Sequence, residues 1–420
     1  MANGAVINKG KSEIARMKFR PILKSESEWL YRLRKAGWDY YHSSPLPDRS
    51  DHLWRYTDPN LFLPGSPEKI LESSHGKSEQ LSSGGFLISD HGSELEDKGV
   101  ILENLKTAIS NHGELIRNYF GKAINSDFGK FESLNMAIWD IGLFLYIPEN
   151  TIINEPIHIR YIPTSELGAR RMLLIIGGGS EVTIIDDYAA NGKFIGLMTN
   201  NATEIFAAKN SKVKYLSLNR LEEDHTLYLT DRVIIESDVS FESVYAGFGG
   251  RISKVNTGVI LDGKGANSRI TGFVYSDMER KADYHTRHHH KSGDTYSDLD
   301  FKVVLKDKAR SAYTGLIRIE KDAANCEAYQ ENRNLLLNEG ANAESIPELE
   351  ILTDQVRCSH GATVGPIDPE MIFFLKSRGF SESEAIRLII EGFFESTLAK
   401  SPEILKDILA NEIGGKLGGI

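Results

Sequence analysis

Between about residues 130 and 365 the chain reads as short runs of β-branched and aromatic residues, broken by Gly, Asn, Asp and Ser, with no long helical stripe. Similar fragments recur there: "GSEVTII" around Val182, "NSKVKYL" around Val213, "SDVSFESV" around Val239, "NSRITGF" around Ile270 and "RSAYTGL" around Tyr313. The gaps between the named residues are 31, 26, 31 and 43. Each fragment alternates polar and apolar positions behind a small or polar turn, as short strands stacking in successive coils of a solenoid would. A sandwich would need tight hairpin signals every 8–12 residues. Within this region Asn-Gly occurs only at Asn191-Gly192 and Asp-Gly only at Asp262-Gly263, so a parallel β-helix fits better.

The pattern on either side is helical. "KSESEWLYRLRKAGWDYY" offers a capping box, Ser25 with Glu28, followed by Trp29, Leu30, Leu33, Gly37 and Tyr40/Tyr41 at helical spacing. It ends at the Pro-rich "SSPLPDRSDHLWRYTDP". Residues 65–98 are rich in Ser, Gly and charge and predict a solvated connector, and "ILENLKTAISNHGELIRNYFG" predicts a further helix before residue 122. After residue 366, Asp368 can cap and Pro369 open a helix carrying Met371, Ile372, Phe374 and Leu375, which Gly379 would close. Ser381 with Glu384 predicts a capping box for a second helix bearing Ile386, Leu388, Ile389, Phe393 and Phe394. "SPEILKDILANEI" predicts a third, shorter helix, and the glycine-rich end is expected to fray. The organisation expected is therefore a helical region over 1–130, a β-helix over 131–365 and a helical region over 366–420.

Length and composition narrow the function classes. A chain of 420 residues has room for two or three structural units. With 40% hydrophobic and 26% charged residues it reads as an ordinary soluble protein, and a net charge of −10 argues against a general nucleic-acid or membrane-surface binder. The opening residues lack the apolar run of a signal peptide, and "RMLLIIGGG" is too short to span a bilayer, so a cytoplasmic location is expected. Two cysteines, Cys326 and Cys358, cannot make a disulfide framework.

Candidate chemistry begins with "VRCSHGATVGPIDPE", where Cys358 and His360 stand two apart and so share one face of a strand. Such a pair can grip a soft metal or set a thiolate beside an imidazole, but a metal held here would need ligands from another chain. The alternative is a buried structural cysteine beside a histidine hydrogen-bonded in a turn. "YHTRHHHKSGD" places His285, His288, His289 and His290 together, with Asp283 and Asp294 near: either a metal-binding cluster or solvated histidines on a loop or coil edge. "GGGSE" (177–181) and "GFGGR" (247–251) lead into no helix and read as turns rather than phosphate cradles. Asn332 and Asn334 fall on one strand face and suit a structural role. Asp186-Asp187 and Glu222-Glu223-Asp224 could supply the paired carboxylates of a polysaccharide-cleaving β-helix, except that adjacent strand residues point to opposite faces. No Walker lysine, GxSxG elbow or HExxH is present, so those catalytic routes lack support.

The stretch running from "YSDLDFKVVLKDKARSAYTGL" through "ILTDQVRCSHGATVGPIDPEMIFFLKSRGFSESEAIRLIIEGF" resembles, over about 100 residues, the SufB/SufD family of iron–sulfur cluster assembly proteins. "LPDRSDHLWRYTDP" also resembles a segment that SufD proteins carry after their first helix, and "CSHGATVG" stands where SufB proteins usually show a His-Glu pair. The resemblance is thus strongest to the SufD branch. It implies a right-handed parallel β-helix flanked by N-terminal and C-terminal helical regions. It further implies a non-enzymatic scaffold subunit that pairs with a SufB-type paralogue and works with a SufC-type ABC ATPase, where ATP hydrolysis resides. On this resemblance a transient iron–sulfur cluster forms at the partner interface with His360 as an iron ligand, before transfer to recipient apo-proteins. Cys358 matches the motif's cysteine as an auxiliary ligand, a sulfur relay or a packed thiol, and Cys326 receives no role. A flavin on the assembled complex is a further family implication. The helices from Asp368 to about Ala399 are expected to dock the ATPase through Asp368, Met371, Phe373, Phe374, Arg378 and Gly379. The rival readings are a SufB-like homodimer working with the ATPase alone, and a β-helix enzyme acting on polysaccharide.

Overall fold

A computed structural model describes residues 26–64, 85–161, 167–189 and 197–418. Within them, strands account for 43% of the chain and wind into a parallel β-solenoid of about seven turns. The strands are β1 (Phe86–Ile88), β2 (Ile101–Asn104), β3 (Ile141–Ile147), β4 (Ile157–Tyr161), β5 (Leu167–Ile176), β6 (Glu181–Tyr188), β7 (Met198–Ala207), β8 (Lys212–Asn219) and β9 (Thr226–Ile235). They continue as β10 (Ser240–Gly247), β11 (Ile252–Leu261), β12 (Asn267–Ser276), β13 (Lys281–His290), β14 (Tyr296–Leu305), β15 (Arg310–Ile319), β16 (Cys326–Leu336), β17 (Asn342–Ile351) and β18 (Val356–Pro366). The chain alternates between two nine-stranded sheets, ordered β1-β4-β6-β8-β10-β12-β14-β16-β18 and β17-β15-β13-β11-β9-β7-β5-β3-β2. Each coil thus contributes one strand to each sheet. The pairing is parallel throughout except at one end, where β1 lies antiparallel to β4 and β2 antiparallel to β3.

The coils register through a repeated corner built from the Gly, Asn and Asp breaks between the runs. Asn150, Gly179, Asn210, Asp238, Gly265, Asp294 and Asn325 all take positive φ, at intervals of 27 to 31 residues. This left-handed conformation is open to Gly and tolerated by Asn and Asp, which explains the residue types found there. At most of these corners the amide donates to a carbonyl of the following coil, as from Asn150 to Gly178 (2.8 Å), Asp294 to Ala324 (2.9 Å) and Asn325 to Gln355 (2.7 Å).

Four of the five recurring fragments mark one sheet: Val182 pairs in register with Val213, Val213 with Phe241, and Ile270 with Ser243. Val239 lies two residues out of step, just before β10, and Tyr313 lies on β15 in the other sheet. The 43-residue gap was therefore a change of sheet: apolar alternation looks the same on either strand of a coil. Asp262-Gly263 is a solenoid corner, not a hairpin, since β11 and β12 belong to different sheets. Asn191-Gly192 lies outside the described residues.

The solenoid axis is filled by inward side chains such as Leu143, Ile159, Leu174, Ile184, Val233, Phe241, Ile270 and Phe301, all essentially inaccessible. Burying each such side chain stabilises the fold by about 1.5–3 kcal/mol. Helices cover the outer faces. The N-terminal helices α1 (Glu28–Ser43), α2 (Glu94–Asp97), α3 (Leu105–Asn111), α4 (Gly113–Tyr119) and α5 (Lys130–Ile138) precede the first parallel strand. Leu30, Trp38, Ile116, Leu134 and Trp139 pack with Phe144, Leu173 and Ile175 of the odd-numbered sheet. Ser27, not Ser25, occupies the α1 N-cap, without a side-chain bond; Ser25 lies outside the described residues. The helix predicted over 101–121 is instead strand β2 followed by two helices. Asn104 caps α3 by accepting from the Lys106 amide, and His112 breaks the backbone between α3 and α4. Of the predicted 65–98 connector, residues 65–84 lie outside the described residues, while 86–88 and 94–97 are strand and helix.

At the other terminus come α6 (Pro369–Ser377), α7 (Glu382–Lys400) and α8 (Glu403–Leu417). Ser381 and Glu384 form the predicted capping box, and the Asp368 side chain accepts from the Glu370 amide. Ile390, Phe394, Leu405, Leu409, Ile413 and Leu417 lie on Ile185, Leu216, Val244, Phe273 and Val304 of the even-numbered sheet. The end does not fray as far as expected: α8 runs through Gly414 and Gly415 because Leu417 is buried beyond them. Among the described residues no helix is long and apolar enough to cross a membrane.

Candidate functional site: the open pole of the solenoid

The last coil is built like the others, but none of the described residues covers it. On β16 the alternate residues Cys326, Ala328, Gln330, Asn332 and Asn334 face inward and are buried. Their register partners on β18 are Val356, Cys358, His360, Ala362 and Val364. These continue the same inward face, yet Val356 and Cys358 are only half-buried and His360, Ala362 and Val364 are exposed. On the facing sheet, Leu349 and Ile351 pair with the fully buried Ile317 and Ile319 and are themselves exposed, with Leu352 beside them. Among the described strands, β17 and β18 each have one hydrogen-bonded neighbour, so both present unpaired backbone edges.

Cys358 and His360 do share a face, as their spacing requires. Burial pushes the Cys358 thiol up, and the second thiol, Cys326, adds to it, so Cys358 stands as a thiol rather than a thiolate. It would ligate or react only once a metal or a partner's charge drew its proton off. Cys326 is fully buried, with its Sγ 3.1 Å from Thr295 Oγ1 and 3.3 Å from the Ala323 carbonyl. It is packed and donating.

The histidine string is not a loop or a coil edge. It lies within β13, whose alternation splits it between two faces. His288 and His290 are in the interior, bonded to Ser268 and to Thr295 and Ser297, and burial lowers their pKa to about 3 and about 4, which leaves both neutral. His285 and His289 are on the outer face against Asp283 and Glu320. Burial opposes ionisation of Asp283, but Lys254 at 2.7 Å and His285 at 2.9 Å hold its carboxyl well below the usual range. These contacts are structural ion pairs beneath the segment around Trp54, where the Thr57 hydroxyl also donates to Asp283 (2.5 Å).

The adjacent acids separate in the same way. Asp186 points inward to Arg170, Tyr188 and Tyr215, and Asp187 outward to His158 (3.0 Å), Arg160 (2.8 Å) and Arg220 (2.5 Å). No carboxylate pair converges there. Glu222, Asp224 and His225 bring three ligand atoms within 4.8 Å of one another, on a loop where both acids are exposed. The glycine runs at 177–179 and 247–250 lead into β6 and β11, so neither opens a helix whose N-terminus could hold a phosphate.

Helix α6 follows the open strand directly. The Ile367 amide bonds the Leu336 carbonyl (2.8 Å), and α6 starts two residues later with no buried residue of its own. Met371, Phe373 and Phe374 are exposed, Phe373 at 75%, and the Arg378 guanidinium lies 4.9 Å over the Phe374 ring. Gly379, at φ +95°, makes the left-handed turn that ends the helix. Sequence reasoning missed the apolar rim of Leu349, Ile351, Leu352 and Val364; the available signal was that no alternating segment follows β18 to cover it.

Comparison with known proteins gives two family matches. The SUF system FeS cluster assembly SufBD core domain matches residues 161–393, and the SufBD protein N-terminal region matches residues 81–159. Among curated relatives, an iron–sulfur cluster assembly SufBD family protein of Staphylococcus saprophyticus is 24% identical over 410 residues, covering 90% of this chain and 87% of its own length. A protein of the same description from Staphylococcus aureus strain MRSA252 gives the same identity and coverage.

Proposed function

The chain belongs to the SufBD family of iron–sulfur cluster assembly proteins, and on that premise we propose that it is a SufD-like scaffold subunit whose uncovered pole holds a nascent cluster against a SufB-type partner. The observation that carries this reading is the pole itself: an inward face bearing Cys358 and His360 that ends in solvent, between two unpaired strand edges and an apolar rim. A scaffold must bind a cluster firmly enough to build it and loosely enough to release it. One imidazole from this chain, completed by a partner's thiolates, suits that demand. Cys358, half-buried beneath the rim, is the secondary ligand candidate. The two edges can add a partner strand to each sheet, and the apolar rim would be buried in the same contact.

Helix α6 is the proposed docking element for a SufC-type ATPase in the cytoplasm. Its aromatic face is unburied within the chain, and it is joined to β18 through two residues. Deleting 368–420 should abolish capture of the ATPase in a pull-down; retained capture would refute this part. For the cluster, the complex should be reconstituted anaerobically and followed by its visible absorbance. His360→Ala should remove most of it, and undiminished assembly would overturn the reading. Cluster formation by this chain and the ATPase without a paralogue would instead identify a self-paired scaffold.

A further inference from the structure

The interior turns polar one coil beneath His360. On β14 the inward row is Leu299, Phe301 and Val303, all buried and apolar; their register partners on β16 are Gln330, Asn332 and Asn334. The asparagines largely serve one another and the backbone. Asn332 Nδ2 donates to the Phe301 carbonyl, and Asn334 Nδ2 to Asn332 Oδ1 (2.7 Å) and the Thr363 carbonyl. Gln330 differs. Its Nε2 crosses the axis to donate to the Gly315 carbonyl (3.1 Å), where a Cβ in place of the glycine hydrogen would lie 2.5 Å from that nitrogen. A carbonyl partner identifies that atom as the amide nitrogen, which settles which end is Oε1. Among the described residues Oε1 is buried without a partner, as is Asn334 Oδ1; but the residue in register above Asn334 is Val364, which has no donor to offer, whereas above Gln330 it is His360, which is exposed.

Neighbouring strands lie about 4.8 Å apart, so the Gln330 and His360 side chains leave backbones one strand spacing apart on the same face. Resting on the scaffold reading above, we propose that Gln330 is the positioning residue for His360. Its Oε1 takes the N–H of one ring nitrogen, fixing the tautomer so that the other nitrogen faces the partner with a free lone pair. A buried acceptor without a partner is costly, which supplies the driving force. A histidine ligand is commonly oriented by such a bond from its second nitrogen.

The test uses the full chain with 15N-labelled histidine, the His360 ring signals being assigned by their loss in His360→Ala. The wild type should show one pyrrole-like and one pyridine-like ring nitrogen, and its N–H should exchange with water roughly tenfold more slowly than in Gln330→Met. Gln330→Met preserves length and apolar volume but offers no acceptor. Gln330→Glu, protonated, can donate to Gly315 and accept from His360, and should restore the fixed tautomer. Averaged ring shifts in the wild type overturn the proposal without needing any variant to fold, and so does equal exchange in wild type and Gln330→Met. Averaged shifts together with loss of the cluster in His360→Ala would sink the role of Gln330 alone. A fixed tautomer with undiminished cluster assembly in His360→Ala would sink the scaffold reading alone.

Discussion

The two poles of the solenoid solve the same problem in opposite ways. At the N-terminal pole two antiparallel strands, β1 and β2, lie along the first parallel strands, and Phe86 of β1 is fully buried. At the C-terminal pole the first uncovered row holds Cys358, His360 and a Val364 that is 46% exposed. Stacked coils bury in each other what a terminal coil must bury in a cap. One pole carries a cap; the other is left uncovered by the described residues, and Cys358 and His360 stand there. The difference teaches that the Cys358–His360 pair gains its meaning here from what fails to cover it.

The largest effect that would break the comparison lies under the N-terminal covering. Glu204, fully buried, pairs with Arg171 (2.8 Å) and accepts from the amides of Gly121, Ala123 and Ile124, tying that region to β7. Glu204→Ala strands a buried guanidinium and three amides and should cost about 3–5 kcal/mol in urea unfolding. Phe86→Ala opens the cap itself, at about 3 kcal/mol by the same measurement.

A smaller effect concerns how the C-terminal helices are held. Asp187 is pushed up by burial but brought down to about 2 by its bonds to His158, Arg220 and Arg160, and Arg220 in turn bonds Glu412 of α8 (2.9 Å). A carboxyl depressed in the folded state stabilises above its unfolded pKa and loses that contribution as pH falls through the folded value. Wild type should therefore lose about 1–2 kcal/mol between pH 4 and pH 2 that Asp187→Asn does not lose, read from melting temperature against pH. The smallest effect sharpens the comparison most. Val364→Ala should change the stability of the isolated chain by under about 1 kcal/mol, because its site is half-open, while weakening partner association in a titration. A large loss in the isolated chain would mean that the pole is covered from within.

Much of this molecule was legible before its structure. β-branched runs between Gly, Asn and Asp corners announce a solenoid, since only those residues take the left-handed corner cheaply, as at Asn210 and Asp294. Period-two alternation put Cys358 and His360 on one face and set Asp186 against Asp187. Other features were misread because local pattern does not report depth. The histidine string looked like one solvated group, yet His288 is buried and neutral inside the axis while its neighbour His289 meets Glu320 outside. Helical spacing across 101–121 concealed the strand β2, because pairing with β3 overrode the local preference.

By itself the sequence determined the periodic architecture, the helical flanks and which side chains share a face, because these follow from backbone geometry and from residues acting within a few positions of each other. Only the tertiary structure decided that, among the described residues, β18 has no strand beyond it, Gln330 leaves an acceptor unused beneath His360, and the α6 aromatics have no cover. Those facts depend on what is absent from a neighbouring position in space, and a linear pattern records only what is present along the chain.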